Sequence, residues 1–205
     1  MIAALLDRVL YRHPFEGPSA RRYASAERPA FGDLDDRLLD DMAPMLVNAK
    51  RMLDLGCGPA TFARRAAARH PRLSVIGVDP SRDFARSNVV RAAGEALPIR
   101  DATIDVAICL SSIRHVRDRG ATLRELRRVA RVLVIVELDP AADAKRIATH
   151  ADRLGSMMLR KMFGPLVVKT APTASTIERL AIGAGWQLRS RRDDPVQPVY
   201  IMELG

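Results

Sequence analysis

The 205-residue chain carries 33 Lys and Arg against 24 Asp and Glu, a formal charge of +9, with 48% hydrophobic residues and two cysteines. That length fits one α/β domain with an appended element and a sizeable core, while two cysteines exclude a disulfide scaffold and suit a reducing, cytoplasmic setting. No stretch reaches the ~20 apolar residues a membrane span needs, and Asp7 and Arg8 break the N-terminal apolar run, so neither a span nor a signal peptide is expected.

The basic excess first points to nucleic acid. Lysines are few (Lys50, Lys145, Lys161, Lys169), while arginines are spread along the chain apart from Arg124, Arg127, Arg128, Arg131 and the pair Arg191-Arg192. That distribution reads as a solvated basic surface.

Ile2, Leu5, Leu6, Val9 and Leu10 recur at helical spacing and predict a short helix over 2–11, ended by His13-Pro14. Residues 15–31 are rich in Pro, Gly, Ser and Arg without a period, which predicts a loop carrying Tyr23. Asp33 is placed to cap a helix to about Asn48, striped by Leu34, Leu38, Leu39, Met42, Met45 and Leu46, with a kink or break at Pro44. Met52, Leu53 and Leu55 predict a strand over 51–55, Gly56-Cys57-Gly58 a turn, and Pro59 the start of a helix to about Arg69. Leu73 to Val78 reads as the next strand, with Asp79 at its carboxyl end, where a carboxylate is expected to have no core role.

Ser81 is placed to cap a short helix, Asn88 to Ala92 reads as a weak third strand, and Ile104 to Leu110 as a fourth strand buried on both faces. Asp118 to Ala130 predicts a helix with Leu123, Leu126 and Val129 inward and arginines outward, running straight into a fifth strand over 132–137. Asp139-Pro140 predicts the start of one long helix to about Phe163, ended by Gly164-Pro165. Ser175 to Glu178 reads as a capping box, and 186–192 with 198–204 as an antiparallel pair closing the sheet. Strands alternating with helices of this length define an α/β, doubly wound, mostly parallel seven-stranded sheet with an antiparallel last strand. One domain is expected over 1–205: a helical leader (1–48), a ligand-binding core (49–138), an insertion (139–170), and the last helix with the closing strands (171–205).

Strand, glycine turn and helix N-terminus form a site where backbone approaches a ligand closely. Asp79 follows the glycines by roughly 20 residues, the spacing at which an acid accepts from ribose hydroxyls. With Asp54 two residues before Gly56, this combination resembles the first two motifs of the class I S-adenosylmethionine-dependent methyltransferases, in the branch of the ubiquinone and menaquinone biosynthesis methyltransferases. The resemblance extends over roughly residues 50 to 140. Ala92 to Pro98 resembles the family's acidic loop, usually Gly-Asp-Ala-x-x-Leu-Pro, with Ala93 where the Asp stands. Ile104 to Leu110 resembles its Phe-Asp-x-Val segment, and Leu123 to Val129 its Leu-x-Glu-x-x-Arg-Val stretch, without the Lys-Pro-Gly-Gly turn that follows there. Ala184-Gly185-Trp186 resembles the family's Ala-Gly-Phe.

The resemblance implies a Rossmann-like fold, S-adenosyl-L-methionine as cofactor and no metal. Asp54 would orient the turn or meet the methionine ammonium, and Gly56, Cys57 and Gly58 would admit the cofactor. Asp79 and Pro80 would hold the ribose, Gly94, Glu95 and Ala96 the adenine, with Glu95 replacing the missing Asp, and Leu110 would border the site. Tyr23 would close over the methionine end. His115, in the loop Ser111 to Val116, would serve as general base, and Met157, Met158, Met162 and Phe163 would line an apolar acceptor pocket. A nicotinamide dehydrogenase wants Gly-x-Gly-x-x-Gly, and Thr61 stands at its third glycine. A nucleic-acid methyltransferase that modifies base amino groups wants Asn-Pro-Pro-Tyr where Ser111-Ser112-Ile113-Arg114 stands. A protein that binds S-adenosylmethionine without catalysis stays open because of Ala93. The implied partner is a small-molecule acceptor, not nucleic acid or a membrane, and nothing in the sequence decides between a monomer and a homodimer.

Overall fold

The apolar runs become strands because both faces of the sheet they form are covered. A computed structural model describes residues 16–25, 31–84, 88–154 and 157–205, and the helix expected over 2–11 lies outside them. The strands are β1 (Arg51–Leu55), β2 (Ser74–Asp79), β3 (Val89–Arg91), β4 (Ile104–Leu110), β5 (Ala130–Leu138), β6 (Leu188–Asp193) and β7 (Val199–Leu204), in the spatial order β3-β2-β1-β4-β5-β7-β6. The first five pair in parallel, and β7 lies antiparallel between β5 and β6. The helices are α1 (Gly17–Ser25), α2 (Leu34–Leu46), α3 (Thr61–Arg69), α4 (Arg119–Val129), α5 (Ala144–Asp152), α6 (Met157–Met162) and α7 (Ala174–Gly183), with a π-helical turn at Phe163–Val168. Among the described residues no helix is long and apolar enough to cross a membrane.

Alternate residues of each strand serve opposite layers, as the pleat requires. Val106, Ile108 and Leu110 of β4 pack with Leu38, Leu39 and Met42 of α2, Phe62 of α3 and Phe163. Ala107 and Cys109 of the same strand pack with Leu123 and Leu126 of α4 and Ile177 of α7. Each such fully buried Leu, Ile or Phe stabilises the fold by roughly 1.5–3 kcal/mol. The edge strand β6 is exposed along its whole length and carries Arg189, Arg191 and Arg192, charges that discourage pairing with another edge.

Six local expectations are corrected. Residues 17–25 form α1 rather than loop; the segment is only nine residues long and is anchored from outside, since Gly17 N donates to Asp83 Oδ2 at 2.7 Å. Helix α2 runs through Pro44 unbroken, because a proline in the last turn removes only one hydrogen bond there, and Asp33 pairs with Arg37 instead of capping. Helix α3 starts at Thr61, since Pro59 and Ala60 belong to the turn before it. The single helix expected from Asp139 to Phe163 is broken into α5, α6 and the π-helical turn. Asp139 closes a tight turn, Asp143 caps α5 at Lys145 N, and Gly164-Pro165 lies inside the wide turn that Lys169 N closes on Gly164 O at 3.2 Å. Thr173, not Ser175, caps α7, its Oγ1 accepting from Thr176 N at 3.2 Å.

Trp186 fastens α4 to the α7 side of the sheet. Its buried indole Nε1 donates to Leu123 O at 3.0 Å, and the Arg127 guanidinium lies 5.3 Å over the ring. Trp186→Phe is expected to lower the unfolding free energy by about 1–3 kcal/mol through the lost hydrogen bond and packing. Urea denaturation followed by circular dichroism measures it; an unchanged midpoint would remove this role.

Candidate active site

β1 ends at Leu55 and the chain turns under β2, with Gly56 N and Cys57 N both donating to Val78 O, at 2.7 and 3.3 Å. Gly56 sits at φ +71, and a Cβ there would lie 2.4 Å from Ser112 Cβ. The room Gly56 leaves is therefore filled by Ser112, whose Oγ donates to Leu55 O at 2.6 Å. Gly58, at φ +52, is different. A Cβ there would meet nothing nearer than Tyr23 Cε1 at 3.7 Å and Phe84 Cε2 at 3.8 Å. The two glycines divide their labour: Gly56 admits a neighbouring strand's loop, and Gly58 keeps the ligand side open. Cys57 Sγ fills the space beside Gly77. Burial, then Asp54 and Asp79, push its thiol far above its ordinary pKa, which rules out a thiolate nucleophile.

Asp79 is buried, and its carboxylate has a structural task that the sequence did not disclose. Oδ2 accepts from Gly58 N at 2.9 Å and Oδ1 from Ser81 N at 2.8 Å. Burial raises its pKa while these two donors pull it back. Each oxygen still has a second lone pair. Pro80 is exposed and its carbonyl accepts from Arg91 Nε. Asp54 is buried in β1, in register between Gly77 and Ile108, and Leu110 is buried at the end of β4.

In the acidic loop, Gly94 is buried, and a Cβ there would come within 2.9 Å of Thr122 Cγ2. Glu95 Oε1 accepts from Arg117 N at 2.8 Å and Asp118 N at 2.9 Å, so its carboxylate holds the entry to α4. Ala96 N is turned back to Ala93 O at 3.2 Å.

The loop after β4 is the most constrained part of the site. Ser111 has φ +52, a conformation that costs a non-glycine residue about 1–2 kcal/mol, and its buried Oγ has no hydrogen-bond partner. Ile113 to His115 form one 3₁₀ turn. Arg114 and Glu137, neither singled out in the sequence, form a buried pair beside it. Glu137 accepts from Leu138 N at 2.8 Å and Arg114 N at 3.3 Å, and its Oε1 lies 3.7 Å from Arg114 Nη1. Arg114 Nη2 donates to Val167 O, while its buried Nε has no partner. Burial pushes the Glu137 carboxyl up, with the Arg114 charge opposing. The available signal was a lone acid in the otherwise apolar run of β5. His115 is half-buried, and burial, then the charges of Arg114 and Arg119, lower its pKa to about 3. So weak a base does not suit general-base work near neutral pH.

Tyr23, on α1, tilts against Phe84 with ring centroids 6.3 Å apart. Of the residues expected to line an acceptor pocket, Met157 is 74% exposed. Phe163 is buried and stacked on His150 at 4.6 Å, and His150 Nδ1 is 2.7 Å from Gln197 Oε1. The side chains of Met158 and Met162 lie outside the described ones. The structure thus gathers Gly58, Asp79, Tyr23, Asp54 and Ser111 at the carboxyl ends of β1, β2 and β4, where the strand order reverses and open α/β sheets bind ligands.

Residues 53–134 match the family described as "Methyltransferase domain". The ubiquinone/menaquinone biosynthesis C-methyltransferase of Syntrophotalea carbinolica is 35% identical over 96 residues, which cover 41% of this chain and 40% of that protein. The malonyl-(acyl-carrier protein) O-methyltransferase of Legionella pneumophila is 27% identical over 111 residues, 49% of this chain and 39% of that protein. The chain therefore spans about two fifths of the length of these relatives. A solved S-adenosylmethionine-dependent methyltransferase from Aquifex aeolicus superposes on 90% of this chain and 95% of its own, with a TM-score of 0.68 at 13% identity, a likeness of fold. Strand order and these matches identify the class I S-adenosylmethionine-dependent methyltransferase fold.

The His115 shift has a consequence for stability. Its folded pKa lies below the ordinary 6.5, so protonation favours the unfolded chain, and the contribution is complete above 6.5 and lost as pH falls towards about 3. Between pH 6.5 and 5 the wild type is expected to lose at most about 2 kcal/mol by this route, and His115→Asn none of it. Urea unfolding of both proteins at pH 7 and 5 checks this; a difference between them that stays constant with pH would show that the fold does not hold His115 neutral.

Proposed function

We propose that this protein transfers a methyl group from S-adenosyl-L-methionine to a small-molecule acceptor with an oxygen-bearing end. The observation that carries the reading is the open cradle at Gly58, fastened to the Asp79 carboxylate and roofed by Tyr23, within the matched methyltransferase domain. A cofactor with a ribose and a charged amino-acid end fits these residues. The remaining lone pairs of Asp79 would accept from the ribose hydroxyls, and Asp54 would serve the ammonium end. Helix α3, uncapped by any side chain at Ala60, offers its first N–H groups to a carboxylate. Gly94, Glu95 and Ala96 of the acidic loop would border the adenine, although Ala93 lacks the carboxylate usual there.

The bound sulfonium supplies an activated methyl group for in-line displacement. The chain's own part is placement and exclusion of water, which account for most of the rate effect in such a transfer. Ser111 Oγ and Arg114 Nε, two buried polar atoms without partners at the carboxyl end of β4, support an acceptor that brings oxygen atoms to that place. His115 stays neutral and orders the loop. Residues 139–170 cover the acceptor side, and the free thiols of Cys57 and Cys109 accord with work in the cytoplasm. The two relatives' names differ in acceptor and in the atom methylated, so neither acceptor is carried over.

Calorimetric titration tests the cofactor. S-adenosylhomocysteine is expected to bind and to raise the melting temperature, and NAD to do neither. Asp79→Asn, whose one oxygen can serve only one of the two backbone donors, should weaken that binding roughly tenfold or more; Asp79→Ala, which serves neither, should destabilise the fold further. Binding of NAD without S-adenosylhomocysteine overturns the reading. Binding without transfer is the second reading, favoured by the engaged Glu95. Transfer of a labelled methyl group to any compound in a metabolite extract would dismiss it.

A further inference from the structure

Helix α1 reaches the glycine turn by two routes that close on each other. Along the polar route, Gly58 N donates to Asp79 Oδ2, Ser81 N to Asp79 Oδ1, and Asp83 N to Ser81 Oγ at 3.2 Å. Asp83 Oδ2 then accepts from Gly17 N at 2.7 Å, the first residue of α1. Along the aromatic route, Tyr23 of α1 leans on Phe84, and both rings border the empty side-chain position of Gly58, at 3.7 and 3.8 Å. The circuit runs from Gly58 through two carboxylates to α1 and back to Gly58.

A nine-residue helix is too short to persist unaided in water, so its position depends on what holds it. The first turn of α1 contains no acidic residue of its own. Asp83 fills that place from the 3₁₀ turn Arg82–Phe84, where a carboxylate complements both the unpaired N–H groups and the positive end of the helix. Arg21 also lies 3.4 Å from Asp83 Oδ1, but its side chain is 68% exposed and such a pair contributes little.

We propose that Asp83 is a positioning residue for cofactor binding: it caps α1 from outside and thereby sets Tyr23 over the Gly58 turn. This rests on the S-adenosylmethionine reading above. Asp83 itself touches no cofactor; it acts through α1. The class I core thus gains its roof from a side chain that lies just beyond the ribose-binding strand end.

S-adenosylhomocysteine titrated into the full chain tests it. Asp83→Ala is expected to weaken binding about tenfold, the loss of one charge-assisted hydrogen bond, and mainly by faster dissociation in stopped-flow measurement. Asp83→Asn, which keeps one acceptor oxygen, should restore most of the affinity. Because Asp83 acts through the aromatic roof, Tyr23→Ala with Asp83→Ala should bind no worse than the weaker single variant. Trypsin cleavage after Arg21 should be suppressed by S-adenosylhomocysteine in the wild type and not in Asp83→Ala. Wild-type affinity in a folded Asp83→Ala, or additive losses in the double variant, would overturn the inference. Failure of the wild type to bind S-adenosylhomocysteine would instead overturn the cofactor reading, and this inference with it.

Discussion

Two backbone N–H groups converge on the carboxylate of Asp79, one from the turn after β1 and one from the exit of β2. The turn needs such a clamp. Gly56, Gly58 and Ala60 all have positive φ, and the alanine pays about 1–2 kcal/mol for it. A turn with three left-handed residues in five relaxes unless something outside it fixes the geometry. Asp79 does so from one side, and Ser112, wedged into the space beside Gly56, does so from the other. The same carboxylate therefore joins the turn after β1 to the exit of β2.

The far side of the site depends on a different device. Arg114 and Glu137 are withdrawn from water at the ends of β4 and β5, and a buried pair recovers its desolvation only where backbone groups complete its hydrogen bonds. Glu137 has two such donors, whereas Arg114 reaches Val167 in the π-helical turn. The pair therefore ties the sheet to the insertion. His150, Gln197 and Phe163 tie that insertion to the chain between β6 and β7, and Arg37, hydrogen-bonded to both oxygens of Asp194, extends the connection to α2.

The central strands were legible because they are apolar runs between turn residues; all seven strands lie where the pattern places them, to within a residue or two. Gly58 after β1 and Asp79 at the end of β2 lie where the glycine spacing puts them. Elements shaped by contacts distant in sequence were not legible. Helix α1 is held from outside by Asp83, and the helix expected from Asp139 to Phe163 starts only at Ala144 and ends at Asp152, before α6 begins at Met157. Arginines show the limit best. Read as a solvated basic face, Arg128 in fact donates to Leu97 O, Ile99 O, Asp101 and Glu125, and Arg127 to Gly185 O. A guanidinium with five donors can serve as a joint between loops, and nothing in sequence distinguishes a joint from a surface charge. His115 shows the same limit, because the burial beside Arg114 and Arg119 that lowers its pKa depends on the fold.

Helix α4 passes into β5 with no residue between Val129 and Ala130, and the carbonyl of Arg128 is taken by Ala102 N from a neighbouring loop. Chain length at this seam is therefore not adjustable. One residue gained or lost there would advance β5 by half a pleat and exchange its two faces, turning Glu137 away from Arg114 and an apolar neighbour towards it. Across the α4–β5 seam the chain is as rigid in length as a codon is in reading frame.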